Sequence, residues 1–131
     1  MEIKEFLEFL PTNFRHEKSF FIQHNLTDFK KLSNLSDSDL NEIQRKSQLC
    51  TLNNLKKIRA IALFKKEISI SPPEAYLLLH CGIGSIQSLS LSTPYDLERK
   101  IRRLERSLRV KTEADITFAI LKKWIKKANE I

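Results

Sequence analysis

Apolar residues recur along this chain three or four positions apart, the spacing of helices that each bury one face. Ile3, Phe6, Leu7 and Leu10 predict a short first helix over residues 2–10, closed by Pro11 and Asn13. Phe20 and Phe21 mark the inner face of a second helix over 15–24, which ends near Asn25, a residue that tolerates the left-handed conformation after a helix. Asp28 and Ser85 read as N-caps of short helices with inner positions Phe29 and Leu32 in one case, Ile86 and Leu89 in the other. Ser36-x-x-Asp39 and Thr93-x-x-Asp96 read as capping boxes opening two further helices, with Pro94 at the first helical position. Leu55-Lys56-Lys57-Ile58 with Ala62, and Leu121-Lys122-Lys123-Trp124 with Ala128, predict two longer amphipathic helices.

These elements come in two sets. Glu17, Phe21, Leu26, Asp28, Phe29, Leu32, Ser36, Asp39 and Leu40 fall over Glu74, Leu78, Ile83, Ser85, Ile86, Leu89, Thr93, Asp96 and Leu97 when the chain is slid by 57 residues. Apolar meets apolar, and cap meets cap. A period of this length predicts one supersecondary unit used twice. The expected fold is all-α, with tandem duplicated short-helix units in one compact domain. Residues 1–11 would be an N-terminal capping helix, 12–67 the first unit and 68–131 the second, which carries about nine extra residues before its last helix. Ser71, Pro72 and Glu74 make a strong helix start directly after the junction, so the units should pack rigidly.

Composition agrees with helices. Two glycines and four prolines in 131 residues leave little for sheet turns, and 41% apolar content is enough for a shared core. The charged opening Met1-Glu2-Ile3-Lys4-Glu5 is no secretory leader, and no apolar run reaches the ~20 residues of a membrane span. A soluble cytoplasmic protein, or one of an organelle stroma, is expected, with Cys50 and Cys81 as reduced core thiols.

Pro72-x-x-Ala75-x-Leu77-Leu78-x-x-x-Gly82-Ile83-x-Ser85-Ile86-x-x-Leu89-x-x-x-Thr93-Pro94-x-x-Leu97, followed by Leu121-x-x-Trp124-Ile125-x-x-Ala128, resembles a bacterial and cyanobacterial domain-of-unknown-function family related to tandem helix-hairpin-helix, SAM-like proteins. The resemblance is closer over residues 69–129 than over 12–66. It implies binding of a phosphate backbone, because a glycine hairpin and the helix after it present free N–H groups to an anion. Here the hairpin falls on Ser69-Ile70-Ser71-Pro72, with serine at both glycine positions, and on the further degraded Thr12-Asn13-Phe14-Arg15. Gly82-Ile83-Gly84 has the hairpin's letters but lies in the second turn of its unit, where a helix C-cap is the competing reading; Ser85 opens a helix just after it.

Net charge is +7, and the cations cluster. Between Glu98 and Lys111 stand Arg99, Lys100, Arg102, Arg103, Arg106, Arg109 and Lys111. Leu97, Ile101, Leu104 and Leu108 form the inner stripe of this helix, which turns Arg99, Arg102, Arg103 and Arg106 outward. Lys122, Lys123, Lys126 and Lys127 form a second positive strip. Guanidinium forks suit phosphate, while a solvated face with Glu98–Arg102 and Glu105–Arg109 pairs is the plain alternative. His16, His24 and His80 lack further ligands at zinc spacing, Trp124 fits packing better than base stacking, and no nucleotide-binding or hydrolase motif occurs. The sequence therefore points to a non-enzymatic module without cofactor or metal. It would touch DNA or RNA backbone through Arg99, Arg102, Arg103, Arg106, Lys122, Lys123 and the amides at Gly84 and Ser85. The alternative is an adaptor that docks an acidic or helical protein partner.

Overall fold

The computed structural model describes residues 2–108 and 116–131, without the side chains of 2–5, Ser107 and Leu108. Arg109 and Lys111 of the basic stretch, and the Leu108 side chain, thus lie outside the described residues. All regular elements described are helical: α1 (Glu2–Phe9), α2 (Arg15–Gln23), α3 (Phe29–Ser33), α4 (Asp37–Lys46), α5 (Leu52–Leu63), α6 (Pro72–His80), α7 (Ile86–Ser90), α8 (Pro94–Leu108) and α9 (Phe118–Asn129). A 3₁₀ turn at Thr12–Phe14 precedes α2, and α5 runs on into a π-helical turn, Phe64–Ile68. Among the described residues no helix is long and apolar enough to cross a membrane.

The helix starts keep the period seen in the sequence. Phe29–Ser33 and Ile86–Ser90 lie 57 residues apart at both ends, as do the first residues of α2 and α6 and of α4 and α8. Helices α5 and α9 start 66 residues apart, so the nine extra residues fall between the start of α8 and the start of α9, five of them lengthening α8. Asn25 (φ 56°) and Gly82 (φ 87°) both take the left-handed conformation after their helices. In each case the next amide donates back into the helix, Leu26 to the Phe21 carbonyl at 2.8 Å and Ile83 to that of Leu78 at 2.9 Å.

Helices of five residues cannot sustain themselves, since nucleation of a helix is unfavourable. Caps and burial hold α3 and α7 instead. Asp28 accepts from the Lys30 N–H and Ser85 from the Ser88 N–H, while Leu32 and Leu89 are fully buried. Helix α3 packs on α5, and α7 on α9. Ser36 and Asp39 form a complete capping box, and the Ser36 amide and hydroxyl hold the Asp39 carboxyl below the usual carboxylate range. That contribution is present at neutral pH and fades as pH falls through the lowered value. Thr93–Asp96 forms only half a box. The Asp96 N–H donates to the Thr93 hydroxyl at 3.2 Å, but the Asp96 carboxylate accepts from Arg99.

One continuous core joins both sets of helices. Phe64, Ile68 and Ile70 lie at its centre, where the π turn meets α3, α6 and α9. Helix α1 spans the two sets: Phe6 stacks on Phe29 at 6.2 Å and Phe9 meets the edge of Tyr76 at 6.1 Å. Trp124 is buried, as its core spacing implied. Cys50 and Cys81 are free thiols, Cys50 buried and Cys81 half-buried, and burial pushes both upward in pKa.

Glu17 is the one ionisable side chain among the buried polar residues described, 1% exposed. Its carboxylate accepts from the Thr51 N–H at 2.9 Å and from the Asn54 amide at 3.3 Å, so it closes the start of α5 from 34 residues away. Glu17→Ala should cost about 2–3 kcal/mol, the charge-assisted hydrogen bonds being lost in a buried setting, as read by chemical denaturation. Ser69 carries φ 64°, where a Cβ is unfavourable. Ser69→Gly should therefore raise stability by about 1 kcal/mol; a lower midpoint would show that the serine side chain contributes more than its backbone strain removes.

Candidate functional site

The hairpin to which the resemblance assigns phosphate binding is the turn Ser69-Ile70-Ser71 between α5 and α6. Its backbone is not open to an anion. The Ser71 N–H donates to the Glu74 carboxylate at 3.4 Å, the Ser71 hydroxyl donates to it at 2.7 Å, and the Glu74 N–H returns to the Ser71 oxygen. Pro72 and Pro73 occupy the first helical positions and have no N–H to offer. Where a bound phosphate would sit, the chain supplies its own carboxylate.

Gly84 and Ser85 stand at the exposed start of α7. They border a shallow depression of about 380 Å³, whose other walls include Leu35, Lys56, Arg59 and Leu63. None of the α8 arginines lines it, whereas a second depression sets Gly82 and Ile83 against Asp96 and Lys100 of α8. Arg59 is already engaged, donating to the Leu35 carbonyl at 3.1 Å and pairing with Asp37 at 2.8 Å. A single-turn helix also has little dipole with which to attract an anion. Gly82, by contrast, serves as the C-terminal turn of α6.

The arginines of α8 divide by what they touch. Arg102 uses both ends of its guanidinium within the fold: one nitrogen donates to Glu105 at 2.8 Å, the other to the Ile116 carbonyl at 2.9 Å. It thereby ties the segment before α9 to the middle of α8. The Glu98–Arg102 pair suggested by spacing gives way to Glu105. Arg99 is exposed and paired with Asp96. Arg103 and Arg106 are exposed and make no ion pair with another described residue. Leu97 and Ile101 are buried on the opposite side and Leu104 is half-buried, as the stripe required.

Lys122, Lys123, Lys126 and Lys127 are exposed on α9, whose inner side buries Leu121, Trp124, Ile125 and Ala128. The two helices that carry the basic strips, α8 and α9, pack together. Among the described residues no three His, Cys, Asp or Glu side chains are grouped to hold a metal ion. His24 donates from Nδ1 to the Phe20 carbonyl (3.0 Å) and stacks on the Phe20 ring.

Sequence reasoning passed over Tyr95, which stands at the head of α8 on its outward side. Its signal was available: at ~100° per residue it falls on the same face as Arg99, Arg102 and Arg106. The ring is 77% exposed and lies 4.8 Å from that of Phe118 at the start of α9.

No curated protein and no solved structure matches this chain. A family described as a domain of unknown function (DUF4332) matches residues 11–131, from Pro11 after α1 to the last residue. With nearly its whole length matched, the chain belongs to that family.

Proposed function

We propose that this chain is a non-catalytic helical module, built from one short-helix unit used twice, that holds the phosphate backbone of nucleic acid without reading its sequence. The observation that carries the reading is the outward face of α8. There Arg103 and Arg106 stand in solvent unpaired among the described residues, with Arg99 beside them. Planar guanidinium groups form forked hydrogen bonds to phosphate oxygens, and such contacts carry no sequence information. Lys122 and Lys123 extend the positive surface along α9, and the net charge of +7 favours encounter with any polyanion.

The contact is made by a helix face and not by the hairpin, which the Glu74 carboxylate occupies. Gly84 and Ser85 border α5 residues and none of the α8 arginines, so they carry less of the contact. Arg102 contributes through the fold, by fixing the start of α9. The closed hairpin also gives weight to a second reading, in which the same arginine face docks an acidic protein segment.

Titration of labelled duplex DNA and RNA at two salt concentrations tests the first reading. Arg103→Ala/Arg106→Ala should weaken binding about tenfold or more at low salt, and flatten the slope of log affinity against log salt by about 2, with an unchanged melting temperature. Arg102→Ala should lower the melting temperature. Absence of binding by the unaltered protein at low salt would sink the nucleic-acid reading and leave the acidic-partner one.

A further inference from the structure

Resting on the reading of α8 as a phosphate-binding face, we infer that the ligand is single-stranded nucleic acid, with the Tyr95 ring stacking on a base while the arginines hold the adjoining phosphates. Tyr95, Arg99, Arg102 and Arg106 lie within ~60° of one another around the helix, and Arg103 borders them. Tyr95 is 77% exposed, and Leu91, one turn before α8, is 78% exposed. A large ring left in water at the end of a cationic row has a ready use when the polyanion offers an unpaired base.

The ring also has an aromatic neighbour. Phe118 meets it from α9 at 4.8 Å, with the ring planes inclined at 50°, an aromatic contact on one side that leaves most of the ring open. In a duplex the base faces are covered by their neighbours, and Tyr95 would gain nothing. In a single strand every base has a free π face, and an aromatic platform beside a cationic groove is the arrangement that uses it. Two exposed apolar residues are too few for the core of a stable protein interface, which needs about 800 Å² from each partner. Charge decides the rest: an apolar protein segment would have to bring acidic groups to Arg99, Arg103 and Arg106, whereas a nucleic acid strand carries ring and phosphate together.

Anisotropy titrations with oligo(dT), oligo(U) and a 20-base-pair duplex, at one low salt concentration, separate the possibilities. The unaltered protein should bind at least one single strand more tightly than the duplex, the two homopolymers showing whether DNA or RNA is preferred. Tyr95→Ala should weaken single-strand binding about tenfold and leave duplex binding unchanged, while Tyr95→Phe keeps both. Tighter binding to the duplex, or a Tyr95→Ala variant that keeps its folded circular dichroism and loses both ligands equally or neither, would overturn the inference. If Arg103→Ala/Arg106→Ala still weakens binding in that event, the backbone reading survives without it. Failure of the unaltered protein to bind any of the three would remove both.

Discussion

Between α5 and α6 the chain has to turn within three residues while keeping Ile68 and Ile70 in the core, and the solution to that constraint organises the molecule. The π turn widens the end of α5 so that Phe64 and Ile68 both point inward. Ser69 then takes the left-handed conformation, and the Ile70 N–H donates back to the Phe64 carbonyl at 3.2 Å. Burial of Ile70 offsets the backbone strain, since an isoleucine fully removed from water contributes about 1.5–3 kcal/mol against roughly 1 kcal/mol for the unfavourable φ. Around this junction α3, α6 and α9 assemble, and through α6 the first helix is held as well.

The two sets of helices keep the same 57-residue spacing of helix starts up to α4 and α8 and differ in how they use polar side chains. Glu17 and Glu74 occupy equivalent positions 57 residues apart, yet Glu17 reaches across to the start of α5 and Glu74 caps its own helix. The helices α4 and α8 diverge further. At the positions matching Arg99 and Arg102, α4 has Glu42 and Arg45, which pair with each other at 2.6 Å, and Ser38 stands where α8 has Tyr95. Five residues longer than α4, α8 also extends past the point where its counterpart stops. The arginine-rich outward face of α8 therefore has no counterpart on α4.

Most of this plan was legible in the sequence because it is local. An N-cap side-chain oxygen and the amide it meets lie two or three residues apart, and a left-handed Asn25 or Gly82 is announced by the apolar residues around it. Interactions across the chain were not legible. The Arg102 bond to the Ile116 carbonyl spans 14 residues, and nothing in either residue type signals it. Glu17 did leave a trace, a carboxylate at helical spacing from Phe20 and Phe21 on the inward face, but its partner Thr51 belongs to another helix. For the candidate site, the cationic face could be read from the helical period, whereas its division into structural and unpaired arginines required the tertiary contacts.

That division follows from the way this fold spends its polar groups. A chain built from short helices has many ends, each exposing backbone N–H groups that would attract an anion. Here the side chains of Asp28, Ser36, Thr51, Ser71, Ser85, Thr93 and Thr117 each accept from one of those groups. Proline removes others at the start of α6. Capping that stabilises these helices thereby engages backbone N–H groups that would otherwise attract an anion, and in the proposed mode the attraction for a polyanion rests on long cationic side chains. Such side chains are screened by salt and tolerate replacement without loss of the core. In the proposed binding mode, affinity and stability are thus carried by different residues, with Arg102 as the exception that joins them.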